Sequence, residues 1–307
     1  MANSIAYATL FQNALDKQLI AGATSGWMEG NASQVIYNGG NTIKIPKITM
    51  DGLGNYDRNN GFTQGAVNLA YETMTMTQDR ARTFTLDAMD VNESNFVASA
   101  SNVMSQFQAV QVIPEIDAYR YSRIASLAIT GGQAVGGYTP VATDILSKLK
   151  ADIAKIKDVV GEVPLIVTMS TLTKNILENS TEINKQLVVT DFAKGAYSTK
   201  VFMIDDCPVI GVPSARLKTA YIFNDGKTAG QTQGGFTADA SAKNINWIIS
   251  TQTAPIAVSK TDTMRIFDPM VNQAANAYKL DYRKYHDLWI PNNALAGVFV
   301  NVKEALS

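Results

Sequence analysis

The most regular pattern in the chain is an alternation of side-chain types between Glu72 and Leu86. Even-numbered positions carry Glu, Met, Gln, Arg, Phe and Leu, and odd-numbered positions carry Thr, Asp and Ala. A period of two predicts a strand, because successive side chains of a strand point to opposite faces. Counted from Val67, the run is about 20 residues long and spans on the order of 65 Å. Ordinary strands end at about 10 residues, so this one must bend strongly, change sheets or project.

The preceding residues predict a partner for this strand. In "TIKIPKITM" the apolar residues Ile43, Ile45, Ile48 and Met50 surround Pro46, and proline is confined to sheet edges or bulges, which predicts an edge strand. The stretch "DGLGNYDRNNGFTQG" that follows is rich in Gly, Asn and Asp and predicts a long turn. Residues 34–88 therefore predict a long two-stranded hairpin. An isolated hairpin is marginal in water, so we expect it to lie against another molecule.

Two segments carry a helical period. Residues 3–21 predict an amphipathic helix that includes Tyr7, Phe11 and Leu15, and a loose Gly-, Ser- and Asn-rich connection makes this helix an arm. After the hairpin, Asp90 and Glu93 form a capping-box pattern. The helix that they open continues to the glycines at 131 and 132, with a kink or division expected at Pro114. Its 37 or so residues span on the order of 55 Å.

The remaining chain predicts mixed structure. Thr139 and Pro140 are placed to cap and begin a helix with a buried stripe from Ile145 to Val160. A strand, a short helix and a strand-turn-strand follow, which makes an α/β or α+β segment of about 115 residues, within the usual domain range. The tail from Trp247 to Val302 is mainly strand-like, with a helical or irregular polar stretch from Pro269 to Trp289.

Composition narrows the function classes. The 307 residues are 46% hydrophobic and 17% charged, which is below the usual charged share and indicates surface that will be covered. A net charge of −1 with scattered Lys and Arg does not provide the basic stripe of a tight nucleic-acid binder. The single cysteine, Cys207, excludes an intrachain disulfide framework. No signal peptide and no membrane span is expected from the sequence.

Candidate chemistry is sparse. His286 is the only histidine, and no second nucleophile or base accompanies it in an interpretable pattern. Asp205 and Asp206 beside Cys207 predict a polar turn. The stretch "DGLGNYDRNNG" lacks the spaced acidic ligands of a calcium loop, and "GGQAVGG" lacks the Lys-Ser/Thr of a phosphate loop and predicts a hinge. We therefore predict no catalytic, cofactor or metal site.

The order of these elements resembles a known family. Together with "IKIPKITMDGLGNYDR", "TMTQDRARTFTLDAMDVNES" and "HDLWIPNNALAGVFV", the order of arm, hairpin, long helix, central domain and strand-rich return resembles the major capsid proteins of tailed bacteriophages with the HK97-type fold. The resemblance covers essentially the whole chain. It implies an α+β fold with an N-terminal arm at 1–35, an extended E-loop at 36–88, a P-domain at 89–138 and 255–307, and an A-domain at 139–254.

The resemblance also implies a function and partners. It implies a non-enzymatic coat protein that forms pentamers and hexamers in an icosahedral shell enclosing phage DNA, assembled in the host cytoplasm and located in the virion. Implied partners are other copies, a portal, head-completion proteins and packaged DNA in weak, non-specific contact. Met1 leads directly into the arm helix, which implies a separate scaffold protein. The expected inter-subunit contacts are, in the E-loop, Asp57, Arg58, Met74, Met76, Arg80 and Arg82, and in the arm, Tyr7, Phe11 and Leu15.

Two alternatives remain open on the sequence. An encapsulin-like bacterial nanocompartment shell shares the fold and packages an enzyme, and the gene's neighbours would separate it from a phage shell. A hydrolase that uses Asp205, Asp206 or His286 belongs to a different class. Replacement of all three residues by alanine should leave assembly intact if the coat-protein interpretation holds.

Overall fold

A computed structural model of the protein describes residues 22–37, 41–59, 61–89, 100–180, 188–194 and 197–306. The predicted arm helix, with Tyr7, Phe11 and Leu15, lies outside these residues, as does the predicted capping box at Asp90 and Glu93. Among the described residues, the mixture of helices and sheets confirms the mixed α and β class.

The strands form four sheets in the described part of the chain. In chain order the strands are β1 (Ile36–Tyr37), β2 (Thr42–Met50), β3 (Val67–Thr75), β4 (Gln78–Asp87), β5 (Ala134–Val135), β6 (Leu165–Ser170), β7 (Val188–Lys194), β8 (Tyr197–Ile204), β9 (Cys207–Val212), β10 (Tyr221–Phe223), β11 (Phe236–Ala238), β12 (Ile245–Thr251), β13 (Ile256–Phe267), β14 (Ala277–Trp289) and β15 (Val298–Val302). The hairpin sheet has the order β1-β2-β3, the long sheet β13-β14-β4, and the central sheet β5-β15-β12-β6-β9-β8-β7, while β10 pairs with β11.

The helices are α1 (Ala100–Phe107), α2 (Ile113–Thr130), α3 (Ile145–Val160) and α4 (Thr171–Glu178). A π-helical segment, Gln108–Val112, joins α1 to α2 directly before Pro114. The three pieces form one spine, because the proline sits in the first turn of α2, where its missing N–H is tolerated. The spine ends at Gly131, as the sequence predicts.

The spine covers two sheets. Near its end, Tyr121, Ile124 and Ala128 pack with Val298 and Val300 on one face of the central sheet. Near its start, its apolar residues pack on the long sheet, in a cluster formed by Met104, Val112, Ile113, Ile116, Met264, Leu280 and Tyr282. The predicted stripe of α3 lies buried on the other face of the central sheet against Val167, Met169 and Trp247. The spine therefore joins the two sheets into one body.

Three sequence predictions are wrong. The helix predicted to begin at Thr139 and Pro140 begins at Ile145, and the Tyr138 hydroxyl donates to the Asp144 carboxylate at 2.7 Å in the turn before it. The glycine-rich stretch predicted to be a hinge is pinned, since β5 pairs in parallel with β15 and the Gly137 N–H donates to the Glu304 carbonyl.

The third correction concerns Pro269 to Trp289, predicted to be helical or irregular. Its second half is the 13-residue strand β14, which pairs with β13 on one side and β4 on the other. Charged side chains concealed this strand, because Lys284, His286 and Asp287 are buried among partners that the sequence does not reveal.

Candidate assembly surface on the hairpin

The hairpin is shorter than the sequence pattern suggests. Strands β2 and β3 pair in antiparallel register from Thr42 opposite Thr75 to Met50 opposite Val67. The alternating run then breaks at Met76 and Thr77, and β4 continues in the long sheet beside β14. Of the three possibilities for the long strand, the structure shows a change of sheets. Of the segment 34–88 that the sequence predicts as one hairpin, only β2 and β3 therefore form the two long hairpin strands.

The near end of the hairpin, which we call the root, packs on the body. Ile43 is fully buried and Ile45 is 5% exposed. Together with Met76 they form a cluster with three residues of the long sheet, namely Ile256, Tyr285 and Trp289. The root is therefore part of the protein's own core.

A buried carboxylate holds the point where the hairpin joins the body. The N–H and the hydroxyl of Thr77 donate to Asp287 Oδ2 at 2.8 and 2.9 Å. The Tyr119 hydroxyl donates to Asp287 Oδ1 at 2.5 Å, and the Tyr285 hydroxyl donates to the Met76 carbonyl at 3.1 Å. Burial and the charge of Asp287 raise the pKa of Tyr119 far above its usual value, so it remains a donor.

The far part of the hairpin exposes apolar side chains on one face. Residues directly opposite each other in antiparallel strands share a face. Three such pairs are exposed, and together they form what we call the distal apolar face. The pairs are Pro46 with Tyr71, Ile48 with Leu69, and Met50 with Val67. The opposite face at the same level carries Thr49 and Asn68. The exposed fractions of Ile48, Met50 and Val67 are 60%, 72% and 70%.

The tip extends this apolar surface. Leu53 and Phe62 are almost fully exposed, and the rings of Tyr56 and Phe62 stack edge-to-face at 5.2 Å. Asp57 bridges to Gly61, whose φ of 82° is suited to glycine. Contiguous exposed apolar surface of this kind marks an interaction site in soluble proteins.

The predicted E-loop contact residues fall in three places. Asp57 and Arg58 lie exposed at the tip. Met74 is half-buried and Met76 is 4% exposed in the root cluster. Arg80 and Arg82 lie on β4, outside the hairpin. The contact role of all six residues stays a prediction, while the distal apolar face was missed by sequence reasoning.

Arg80 and Arg82 face the spine and the glycine-rich loop between β10 and β11, residues 224–235. Arg80 donates to both carboxylate oxygens of Glu115, at 2.6 and 3.3 Å, and to the carbonyls of Asn224 and Gly235. Arg82 makes one longer bond, 3.4 Å to the Thr232 carbonyl. Arg80 thereby ties β4, the spine and the loop together.

A cavity of about 440 Å³ lies between these elements, with Arg80, Glu115, Lys284 and His286 in its lining. The charges are paired within the chain, since Arg80 binds Glu115 and Lys284 binds Asp262 at 2.5 Å. Burial, followed by the charges of Arg120, Lys284 and Arg80, lowers the pKa of His286 well below 6.5. The imidazole is therefore neutral at physiological pH.

The residues of the hydrolase alternative are not brought together. Asp205 and Asp206 form the turn between β8 and β9, with positive φ at both positions, which confirms the predicted polar turn. His286 lies in the long sheet. Across the described ranges, no three His, Cys, Asp or Glu side chains are grouped so as to hold a metal ion. None of the helices described here is long and apolar enough to cross a membrane.

Comparison with known proteins gives a likeness of fold. No family model and no curated protein matches the chain. The mature capsid of bacteriophage PhiM1 is similar with a TM-score of 0.58, at 11% identity over 89% of this chain and 85% of that one. For the capsid of cyanophage P-SCSP1u, the TM-score is 0.56, at 12% identity over 87% and 84%.

A structure from Mycobacterium phage Adephagia extends this likeness, with a TM-score of 0.54 and 12% identity over 92% of this chain and 91% of that one. The chain has the fold of bacteriophage capsid proteins. This capsid fold confirms the tailed-phage resemblance at the level of architecture. It covers nearly the whole chain, which agrees with one fold unit from the hairpin to the final strand.

Proposed function

We propose that this protein is the major capsid protein of a tailed bacteriophage, with the HK97-type fold. Its copies assemble as pentamers and hexamers into an icosahedral shell that encloses phage genomic DNA. The observation that carries the proposal is the distal apolar face, which lies outside every core formed by the described residues, on a hairpin that is firmly rooted in a capsid fold. A monomer that kept this face in water would be prone to association.

The domain assignment completes the proposal. The assignment is an arm at 1–35, an E-loop at 36–88, a P-domain at 89–138 and 255–307 and an A-domain at 139–254. The spine, which packs on both the long sheet and the central sheet, supports a P-domain built around it. The distal apolar face lies over the adjacent subunit. Asp57 and Arg58 are placed to make polar contacts at the rim of that surface.

The partners follow from the same function. A shell needs a scaffold protein during assembly and portal and head-completion proteins afterwards. The net charge of −1 supports only weak, non-specific contact with packaged DNA. Assembly takes place in the host cytoplasm, the mature protein resides in the virion, and the role is structural and not enzymatic.

The test is assembly of the full chain, produced with the scaffold protein of its own gene cluster. Sedimentation velocity should show particles far larger than the 33.2 kDa subunit, and negative-stain microscopy should show closed shells with pentamers and hexamers. Nucleic acid packaged with portal present supports the phage shell, whereas an enclosed enzyme supports the encapsulin-like alternative.

A pair of double variants locates the interface. Ile48→Lys with Leu69→Lys puts two charges on the distal apolar face, and we expect assembly to be lost. Thr49→Lys with Asn68→Lys puts the same charges one residue further along, on the opposite face, and should still assemble. Equal assembly of both variants would remove the distal apolar face as the interface. A parent protein that stays monomeric with its scaffold would contradict the proposed function itself.

A further inference from the structure

The backbone returns from the hairpin to the body through two residues, Met76 and Thr77, and both are tied to the body. The Met76 N–H donates to the Asn41 carbonyl at 2.9 Å, and the Met76 carbonyl accepts from the Tyr285 hydroxyl. The Thr77 N–H donates to Asp287. The junction that looks like a hinge between two sheets is therefore fixed by hydrogen bonds on both sides.

Asp287 supplies the central acceptor of this junction. It is 1% exposed. Its two oxygens accept four hydrogen bonds, from Thr77 N, Thr77 Oγ1, Tyr119 Oη and Leu288 N, at 2.5 to 2.9 Å. Burial of a carboxylate is costly unless its lone pairs are satisfied, and bonds to an ionised acceptor are stronger than neutral ones. Removal of one donor therefore costs more here than at an ordinary hydrogen bond.

The donors come from different parts of the fold. Thr77 belongs to the junction, Tyr119 to α2 and Leu288 to β14. One side chain thus connects the end of the hairpin to the spine and to the central strand of the long sheet. A displacement of the hairpin root relative to the spine would stretch the two bonds from Thr77 to Oδ2, because Tyr119 and Leu288 hold Oδ1.

We propose that Asp287 is a positioning residue that fixes the direction in which the hairpin leaves the body, so that the hairpin moves freely only beyond the pair of Ile45 and Glu72. Every described residue from Pro46 to Tyr71 is exposed except Lys47 and Gly61, which are half-buried. The sequence position at which the packing ends is also the position at which the apolar residues change face. The movable segment is therefore the segment that carries the distal apolar face.

This geometry has a use in assembly, and that use rests on the proposed function. A hairpin whose root is already ordered loses less conformational freedom when its far half binds a partner. Binding is therefore stronger for the same contact area. The positioning role itself does not depend on assembly, because all of its contacts lie within one chain.

The experiment measures the direction of the hairpin in the unassembled subunit. Spin labels are placed at Lys44→Cys, in the root of the hairpin between Ile43 and Ile45, and at Ser126→Cys on the spine, both exposed positions, after replacement of Cys207 by alanine. Pulsed electron-electron double resonance then gives the distribution of distances between the two labels. For the parent we expect one narrow distribution. Asp287→Asn should broaden it, because an amide presents hydrogens to one pair of the donors.

Thr77 offers a matched pair that keeps the test decisive if Asp287→Asn does not fold. Thr77→Val removes the hydroxyl and keeps the shape, and it should broaden the distribution, whereas Thr77→Ser restores the hydroxyl and should restore the narrow distribution. Distributions as narrow as the parent in the valine variant would overturn the proposal. Equal broadening in the valine and serine variants would also overturn it, since that result indicates general loosening. Failure of assembly leaves this measurement unaffected.

Discussion

The root and the far half of the hairpin are made from the same two strands, yet their isoleucines have opposite environments. Ile43 is fully buried, and Ile48, five residues along the same strand, is 60% exposed. The apolar residues of β2 occupy odd positions at the root and even positions beyond Pro46, so they change from one face of the hairpin to the other. The root thus contributes to folding, and the far half is available for association.

One alternating strand therefore serves two purposes in this protein. Side-chain period fixes which residues share a face, but not whether that face meets the protein's own core or another molecule. The change of face at Pro46 marks the boundary. Beyond it, β2 pairs with β3 alone, so the missing N–H of proline lies at an edge, as the sequence predicts.

The sharpest test of this comparison is a pair of alanine substitutions on β2. Ile43→Ala should lower the free energy of unfolding by about 2–4 kcal/mol, because it leaves a cavity in the root cluster. Ile48→Ala should change it by less than about 0.5 kcal/mol, because the side chain is exposed. Urea unfolding of both variants measures the two values. A similar loss in both would show that the far half also contributes to the core of the subunit.

A second pair compares the two arginines next to the root. Arg80→Gln should lower the free energy of unfolding by about 1–2 kcal/mol, since a half-buried charged network with Glu115 is broken. Arg82→Gln should cost less than about 0.5 kcal/mol, because its hydrogen bond to the Thr232 carbonyl is long and exposed. Chemical unfolding at matched salt checks both. If Arg82 is the more costly of the two, β4 is not held to the spine as described.

The smallest expected effect is a pH dependence at His286, which lies next to the root. Its folded-state pKa is depressed below 6.5 by burial and by neighbouring cations. The unfolded chain therefore binds the additional proton, so stability is complete above about pH 6.5 and is lost as the pH falls. Between pH 7 and 5.5 the parent should lose about 1 kcal/mol more than His286→Phe, which cannot titrate.

Unfolding curves of both proteins at the two pH values measure this difference. Equal losses would show that the imidazole is not held neutral in the fold. A larger loss in the phenylalanine variant would show that the folded protein, and not the unfolded chain, binds the additional proton.

Several elements were predictable because their signals are local. The strands β2 and β3, the long spine with its stop at Gly131 and the buried stripe of α3 follow from periodicity and from glycine and proline placement. The turn at Asp205 and Asp206 follows from polar residues between two apolar runs. The distal apolar face also had a signal, since the step from Ile45 to Ile48 changes the parity of the apolar positions within β2.

The strand and helix periods, the helix stops and the balance of apolar and charged residues can be read directly from the chain, since they depend on neighbouring positions. The place where the long alternating run breaks depends on tertiary contacts, because Asp287 binds Thr77 across 210 positions of sequence. The same is true of the burial of Lys284, His286 and Asp287 in one strand, since it depends on partners from distant elements. Local patterns carry no information about such partners, whereas the energy of a buried charge depends almost entirely on them.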